Sequence, residues 1–190
     1  MKTYPEITIN AHSSIRIAGS KVLYFDPFQL KDAPHDADVV FLTHSHFDHE
    51  SPEDLEKVSK PGTQVVRYEE AEIPGLTVRT VPAYNPNKKF HPKENRWVGY
   101  LVTMDGVTYY VAGDTDVTPE LLAVKADVAL LPVGGTYTMT AEEAAEAAKQ
   151  MDVETFIPMH YGSVAGSKKE GERFRKLIGD EKNVVLKLFQ

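Results

Sequence analysis

The segment Thr43-His44-Ser45-His46-Phe47-Asp48-His49 places three histidines and one aspartate within six residues. Residues two apart in an extended chain point the same way, so His44 and His46 can face one ion. Asp48 and His49 lie just beyond, where they can face a second ion or the far side of the first. Neutral imidazoles and carboxylates suit Zn2+, with Mn2+ or Fe as alternatives. Such an ion brings the pKa of bound water down to about 7, and two ions about 3.5–4 Å apart hold both the attacking and the leaving oxygen of a displacement. A lone histidine is usually structural. Four ligand-type residues in six positions are not explained that way, because burying them without a cation leaves several polar groups without partners.

These side chains need rigid elements behind them. Asp38-Val39-Val40-Phe41-Leu42 is apolar and β-branched and reads as a buried strand. Ser51-Pro52-Glu53-Asp54 reads as a helix start, with a Ser cap, a Pro at the first position and an acid three residues after the cap. The cluster therefore sits on the loop between a core strand and a helix. Two more ligand-type residues close apolar strands: Asp114 after Val107–Ala112, and His160 after Glu154–Met159. All of them can share one edge of the sheets, where α/β architectures place their sites.

The remaining pattern is strands first, then strands alternating with helices. Strands are expected at Ile7–Ile9, Ser14–Ile17 and Val22–Phe25, with Gly19-Ser20 as a hairpin. His12 and Asp26 stand at the ends of these strands, positions that also suit turn residues. A helix is expected over Pro52–Lys60, stopped by Pro61-Gly62, then strands at Thr63–Arg67 and Leu76–Val81. The loop from Pro82 to about Arg96 carries Lys88, Lys89, His91, Lys93 and Arg96, a basic patch that reads either as a solvated loop or as an anion contact. Trp97–Met104, Asp105-Gly106 and Val107–Ala112 form a hairpin. Thr118-Pro119-Glu120 starts a short helix, Asp127–Val133 is a strand, and Thr140-Ala141-Glu142-Glu143 is a capping box for a helix to about Gln150. A helix over Lys169–Ile178 and a strand over Val184–Phe189 close the chain. Packed sheet to sheet, two such halves give a single α/β (α+β) domain over residues 1–190, a four-layered αββα sandwich.

Composition agrees with a globular protein, with 42% hydrophobic and 26% charged residues. The chain has no cysteine, which excludes disulfides and thiolate metal sites and fits a reducing, cytoplasmic setting. No run is long and apolar enough for a signal core or a membrane span. A net charge of −7 argues against nucleic acid or membrane as a partner. A small-molecule substrate is the expected partner, and homo-oligomer formation stays open.

His44-x-His46-x-Asp48-His49 resembles the H-x-H-x-D-H signature of the metallo-β-lactamase superfamily. Gly113-Asp114-Thr115 resembles its G-D-T, and Asn10-Ala11-His12-Ser13 with Phe25-Asp26-Pro27 resembles the small bacterial branch that includes the ascorbate-6-phosphate lactonases. The resemblance implies the αββα fold, a bridging role for Asp114 and a ligand role for His160. It implies one ion at His44 and His46 and another at Asp48, His49, Asp114 and His160. The family places a further histidine in a Pro-Ala-x-His context, where this chain reads Pro82-Ala83-Tyr84-Asn85. Asn85 is a weak ligand, so His91 must fold back or the first site is deficient. Asp26 would orient the histidine loop, and His12 would bind substrate or support a ligand. Lys88, Lys89, Lys93 and Arg96 would meet an anionic substrate.

The function implied is hydrolysis of a small, anionic lactone, ester or phosphoester by metal-bound hydroxide, with Asp48 and His49 as catalytic residues. The alternatives are a phosphodiesterase or nuclease, and a non-catalytic metal- or ligand-binding protein.

Overall fold

The computed structural model describes residues 2–188. Two mixed sheets carry the chain. The first has β1 (Ile7–Ala11), β2 (Ser14–Ala18), β3 (Val22–Phe25), β4 (Ala37–Leu42) and β5 (Ser59–Arg67) side by side in that order. The second contains β6 (Thr77–Pro82), β7 (Val98–Met104), β8 (Val107–Val111), β9 (Lys125–Pro132), β10 (Asp152–Met159) and β11 (Asn183–Val184), again in chain order. Each sheet begins with three antiparallel strands and continues with parallel ones. A loop joins the parallel pair β3 and β4, and the other parallel strands are joined through the helices α1 (Pro52–Val58), α2 (Pro119–Leu122), α3 (Ala141–Gln150) and α4 (Glu170–Ile178).

The layering follows from the two-residue period of a strand. On β4, Val39 and Phe41 enter the core shared by the two sheets, while Val40 and Leu42 pack toward Val58 and Leu55 of α1. Both faces of β4 are covered, which is why its sequence is continuously apolar. On the other side, α3 buries Ala141, Ala144, Ala145, Ala147 and Ala148, and α4 buries Phe174 and Ile178. The result is the αββα sandwich. Among the described residues no helix is long and apolar enough to cross a membrane.

The caps expected from sequence are in place: Ser51, Thr118 and the Thr140/Glu143 box each accept or exchange the hydrogen bonds that open a helix. Two expectations are corrected. Helix α1 stops at Val58, where Ser59 donates its backbone N–H and its hydroxyl to the Leu55 carbonyl. Pro61 and Gly62 do not end the helix; they sit exposed inside β5, at an irregularity where Ala37 pairs with Ser59 but Val39 pairs with Gln64. That irregularity accommodates a residue without an N–H and a glycine at φ 92°. The last strand is only Asn183–Val184 rather than Val184–Phe189, and Phe189 lies outside the described residues.

Hydrogen bonds join the two sheets at the edge where β4 and β10 end. His160 N–H donates to the His12 carbonyl (3.0 Å), Val98 N–H to the Thr43 carbonyl (3.2 Å), and the Tyr100 hydroxyl to the Leu42 carbonyl (3.1 Å). Behind them Phe41 stacks on Phe25 with ring centres 5.0 Å apart and leans on Tyr100 at 4.9 Å. Phe41→Ala is expected to destabilise the protein by about 3–5 kcal/mol in urea unfolding; a loss below about 1 kcal/mol would mean that this stack does not anchor the edge.

Candidate metal centre

Six of the seven histidines converge on the edge where β4, β8 and β10 end; among them His35 alone lies elsewhere. The buried ligand atoms form two sets. His44, His46 and His91 make one, and His12, Asp48, His49 and His160 make the other, with the atoms of each set within 4.8 Å of one another. Asp114 stands between them. Its Oδ2 is 3.2 Å from His91 Nε2 and 2.9 Å from His160 Nε2, while its Oδ1 is 3.3 Å from His49 Nε2. Two nitrogens bound tetrahedrally at 2.0–2.1 Å are about 3.3 Å apart. His44 Nε2 and His46 Nδ1 are already 3.1 Å apart.

Hydrogen bonds on the far side of each ring set which nitrogen faces inward. Buried Asp26 accepts from Thr43 N–H (2.8 Å), from the Thr43 hydroxyl (2.6 Å) and from His49 Nδ1 (2.7 Å). With its proton on Asp26, the Thr43 hydroxyl accepts from His44 Nδ1 (3.0 Å), which leaves His44 Nε2 free to face the centre. Asn85 spends its side chain on hydrogen bonds. Its Oδ1 accepts from both N–H and Nδ1 of His91 (3.0 and 2.8 Å), and its amide donates to the Tyr137 carbonyl. This turns His91 Nε2 toward Asp114. A ring from the basic loop thus stands at the corner that lacks a histidine in the sequence, and the Asn85 amide fixes its orientation.

The electrostatics match a cation site. Burial pushes His44, His46 and His12 below the usual histidine range, so these rings are neutral and keep their lone pairs. Burial opposes ionisation of Asp114, but His160 and His49 outweigh it and hold the carboxyl well below its ordinary value. Burial likewise opposes charge on His49, yet Asp114 and Asp26 push it up to about 9. A proton is attracted to the point that a metal would neutralise. Six buried atoms here make no well-aligned hydrogen bond: both nitrogens of His12, His49 Nε2, His91 Nε2, Asp114 Oδ1 and His160 Nδ1; four of them have only the close polar contacts within this cluster. Such atoms are costly unless a cation satisfies them, and the residues present fit a metal.

Three of the residues are held at positive φ: His12 (52°), Asp26 (45°) and His160 (57°). For non-glycine residues this is strained backbone of the kind found at functional sites. Gly134 gives His160 its room, since a Cβ there would lie 2.2 Å from the His160 carbonyl oxygen.

A cavity of about 310 Å³ opens over the centre, lined by His46, Phe47, Asp48, Phe90, His91, Asp114, Tyr137, His160 and Val164. None of the basic residues expected to contact an anion lines it. Lys88 binds Asp116 (2.6 Å) and the Thr138 carbonyl, Lys93 binds Glu120 (3.1 Å), and Lys89 and Arg96 are exposed. No local pattern singles out Trp97, whose ring lies 5.0 Å from His44, 4.8 Å from His46 and 5.7 Å from His91. Tyr137 and Val164 were missed as well. Phe47 carried a usable signal, an aromatic residue inside an otherwise polar motif.

A family description, "Beta-lactamase superfamily domain", matches residues 6–160. A UPF0173 metal-dependent hydrolase of Pyrococcus horikoshii is 33% identical over 92% of this chain and 92% of its own length. Another, of Thermococcus kodakarensis, is 31% identical with the same coverage. Among solved structures, one from Parabacteroides distasonis described as a metal-dependent hydrolase superposes with a TM-score of 0.85 at 30% identity, covering 97% of this chain and 93% of that one. One from Thermotoga maritima, described as a zinc-dependent hydrolase of the metallo-β-lactamase superfamily, shares the fold with a TM-score of 0.67 at 23% identity over 95% and 96% of the two chains. The chain belongs to the β-lactamase superfamily and, within it, to the UPF0173 metal-dependent hydrolases.

Asn85→Ala frees His91 to rotate and is expected to weaken metal binding about 10–100-fold, measured by competition with a chelator; unchanged affinity would mean that His91 is aimed by something else. Because His49 is raised in the folded chain, the stability it contributes is present below about pH 6.5 and is lost as pH rises toward about 9. His12, His44 and His46, being lowered, stay neutral through that window. Thermal melts in EDTA should therefore fall from pH 6.5 to 9, more steeply than melts of the metal-loaded protein; parallel curves would contradict this.

Proposed function

We propose that the protein hydrolyses a small ester, lactone or phosphoester at this centre. The observation that carries the reading is the convergence of six imidazoles and two carboxylates at one sheet edge, with His46, His91, His160, Asp48 and Asp114 lining one cavity. His44, His46 and His91 would hold one ion, and Asp48, His49 and His160, assisted by His12, the other, with Asp114 between them. Zinc suits this nitrogen-rich set, and Mn2+ or Fe would also be accepted. A divalent ion supplies Lewis acidity and makes water a competent nucleophile at neutral pH.

The side chains do the rest. Asp48 lines the cavity, and its Oδ2 sits 3.2 Å from His12 Nε2. Burial raises its carboxyl, but the contacts with His12 and His49 leave it below the ordinary value, so it is ionised and able to accept the proton of an attacking water. His49, held by Asp26, keeps its Nε2 turned to the reacting side. Trp97 packs against one flank of His44 and His46.

A non-catalytic binding role is motivated by Asn85 standing where the family has a histidine; His91 Nε2, 3.2 Å from Asp114, favours the catalytic reading. An anionic substrate would have to rely on the ions rather than on the basic loop. A broad basic face for nucleic acid is not supported by a net charge of −7. The lack of cysteine supports a cytoplasmic location.

The test is a panel of 4-nitrophenyl esters, lactones and bis-4-nitrophenyl phosphate, run with the protein stripped by chelator and reloaded with Zn2+, Mn2+ or Fe2+. Activity on at least one ester, lactone or phosphoester should depend on metal, and Asp48→Asn should lower kcat by about 10²-fold or more. Metal-independent turnover, or full activity of Asp48→Asn, would refute the proposal.

A further inference from the structure

We propose that the substrate of this centre carries an uncharged, apolar group about the size of a phenyl ring, seated against Phe47, Phe90, Tyr137 and Val164. The inference deepens the hydrolase reading and rests on it.

Three large hydrophobic residues are exposed among the described residues: Phe47 at 71%, Leu177 at 39% and Val164 at 38%. Two of these three line the cavity over the histidines. Exposed apolar side chains scattered singly need no explanation, but here they gather at one mouth with two further rings. The four residues come from four separate loops, following β4, β6, β9 and β10. No single loop's composition accounts for their meeting.

The rings are also braced. Phe90 meets Tyr137 edge to face, with centres 4.9 Å apart at 83°, and Phe47 meets Phe28 at 6.1 Å and 78°. These contacts hold the aromatic faces in place before a ligand arrives, which lowers the cost of binding an apolar group.

The charges favour the same choice. Among the described residues lining the cavity there is no lysine or arginine, and the two charged side chains are Asp48 and Asp114. Lys88 and Lys93 spend their charges on Asp116 and Glu120. An anionic substituent reaching the mouth would find aromatic rings and no cationic side chain. The volume, about 310 Å³, lies at the small end of ligand cavities. That is room for one ring or short acyl chain beside the reacting group.

The chain's single tryptophan, Trp97, packs against three of the histidines and offers a binding signal that needs no turnover. The metal-loaded protein would be titrated with acetohydroxamate, benzohydroxamate and 4-carboxybenzohydroxamate, which share a metal-seeking head. Benzohydroxamate should bind about tenfold more tightly than acetohydroxamate. The added carboxylate should weaken it, and Phe47→Ala or Val164→Ala should erase most of the ring's advantage while acetohydroxamate is unaffected. Equal affinities for the first two ligands, or tightest binding of the carboxylated one, would overturn the proposal. So would a change of oligomeric state in Phe47→Ala without a change in ligand affinity, which would make the patch an interface between copies. Failure of all three hydroxamates to bind would overturn the metal-centre reading together with this one. A ring preference without hydrolysis of any ester, lactone or phosphoester would overturn the hydrolase reading and leave the apolar seat standing.

Discussion

The fold is arranged around one electrostatic constraint: Asp114 and its ring of imidazoles are buried with their lone pairs facing one another. Asp114 is 4% exposed, and its oxygens lie within 3.3 Å of His49, His91 and His160. Burial of so many acceptors around one carboxylate is unfavourable unless a cation completes the set. The raised His49 shows the same imbalance from the other side, because a proton is bound where positive charge is needed.

Much of the surrounding structure holds that arrangement in place. Asp26 fastens Thr43 and His49, Thr43 fastens His44, and Asn85 fastens His91. The backbone bond from His160 to His12 ties the edges of the two sheets together beside the centre. Left-handed backbone at His12, Asp26 and His160 is a cost accepted at this edge and offset by the core behind it, where Phe25, Phe41 and Tyr100 stack. Stability is stored between the sheets, and function is drawn from their open edge.

Much of this was legible in the sequence. The layers, the caps at Ser51, Thr118 and Thr140, and the edge shared by the histidine loop, Asp114 and His160 follow from local patterns of period, cap and strand end. What was not legible depends on long-range folding of loops. Nothing in the spacing of Asn85 and His91 shows that the chain reverses so that the amide of one aims the ring of the other. Pro61-Gly62 signals a helix stop locally, but pairing of Ser59 with Ala37 takes the chain into a strand first. The basic loop reads equally as solvated or as an anion contact because sequence shows charge without partners; Asp116 and Glu120, distant in the chain, take up Lys88 and Lys93. The apolar mouth was hidden for the same reason, since its residues come from four loops.

The central claim is that one buried carboxylate joins two sets of metal ligands. A crystal structure of metal-loaded protein, with anomalous scattering recorded at the zinc, manganese and iron edges, tests it most directly. The expected result is an ion held by His44, His46 and His91, a second held by Asp48, His49 and His160, and Asp114 in contact with both. An ion bound through the Asn85 side chain, or one with His91 turned away from Asp114, would contradict it.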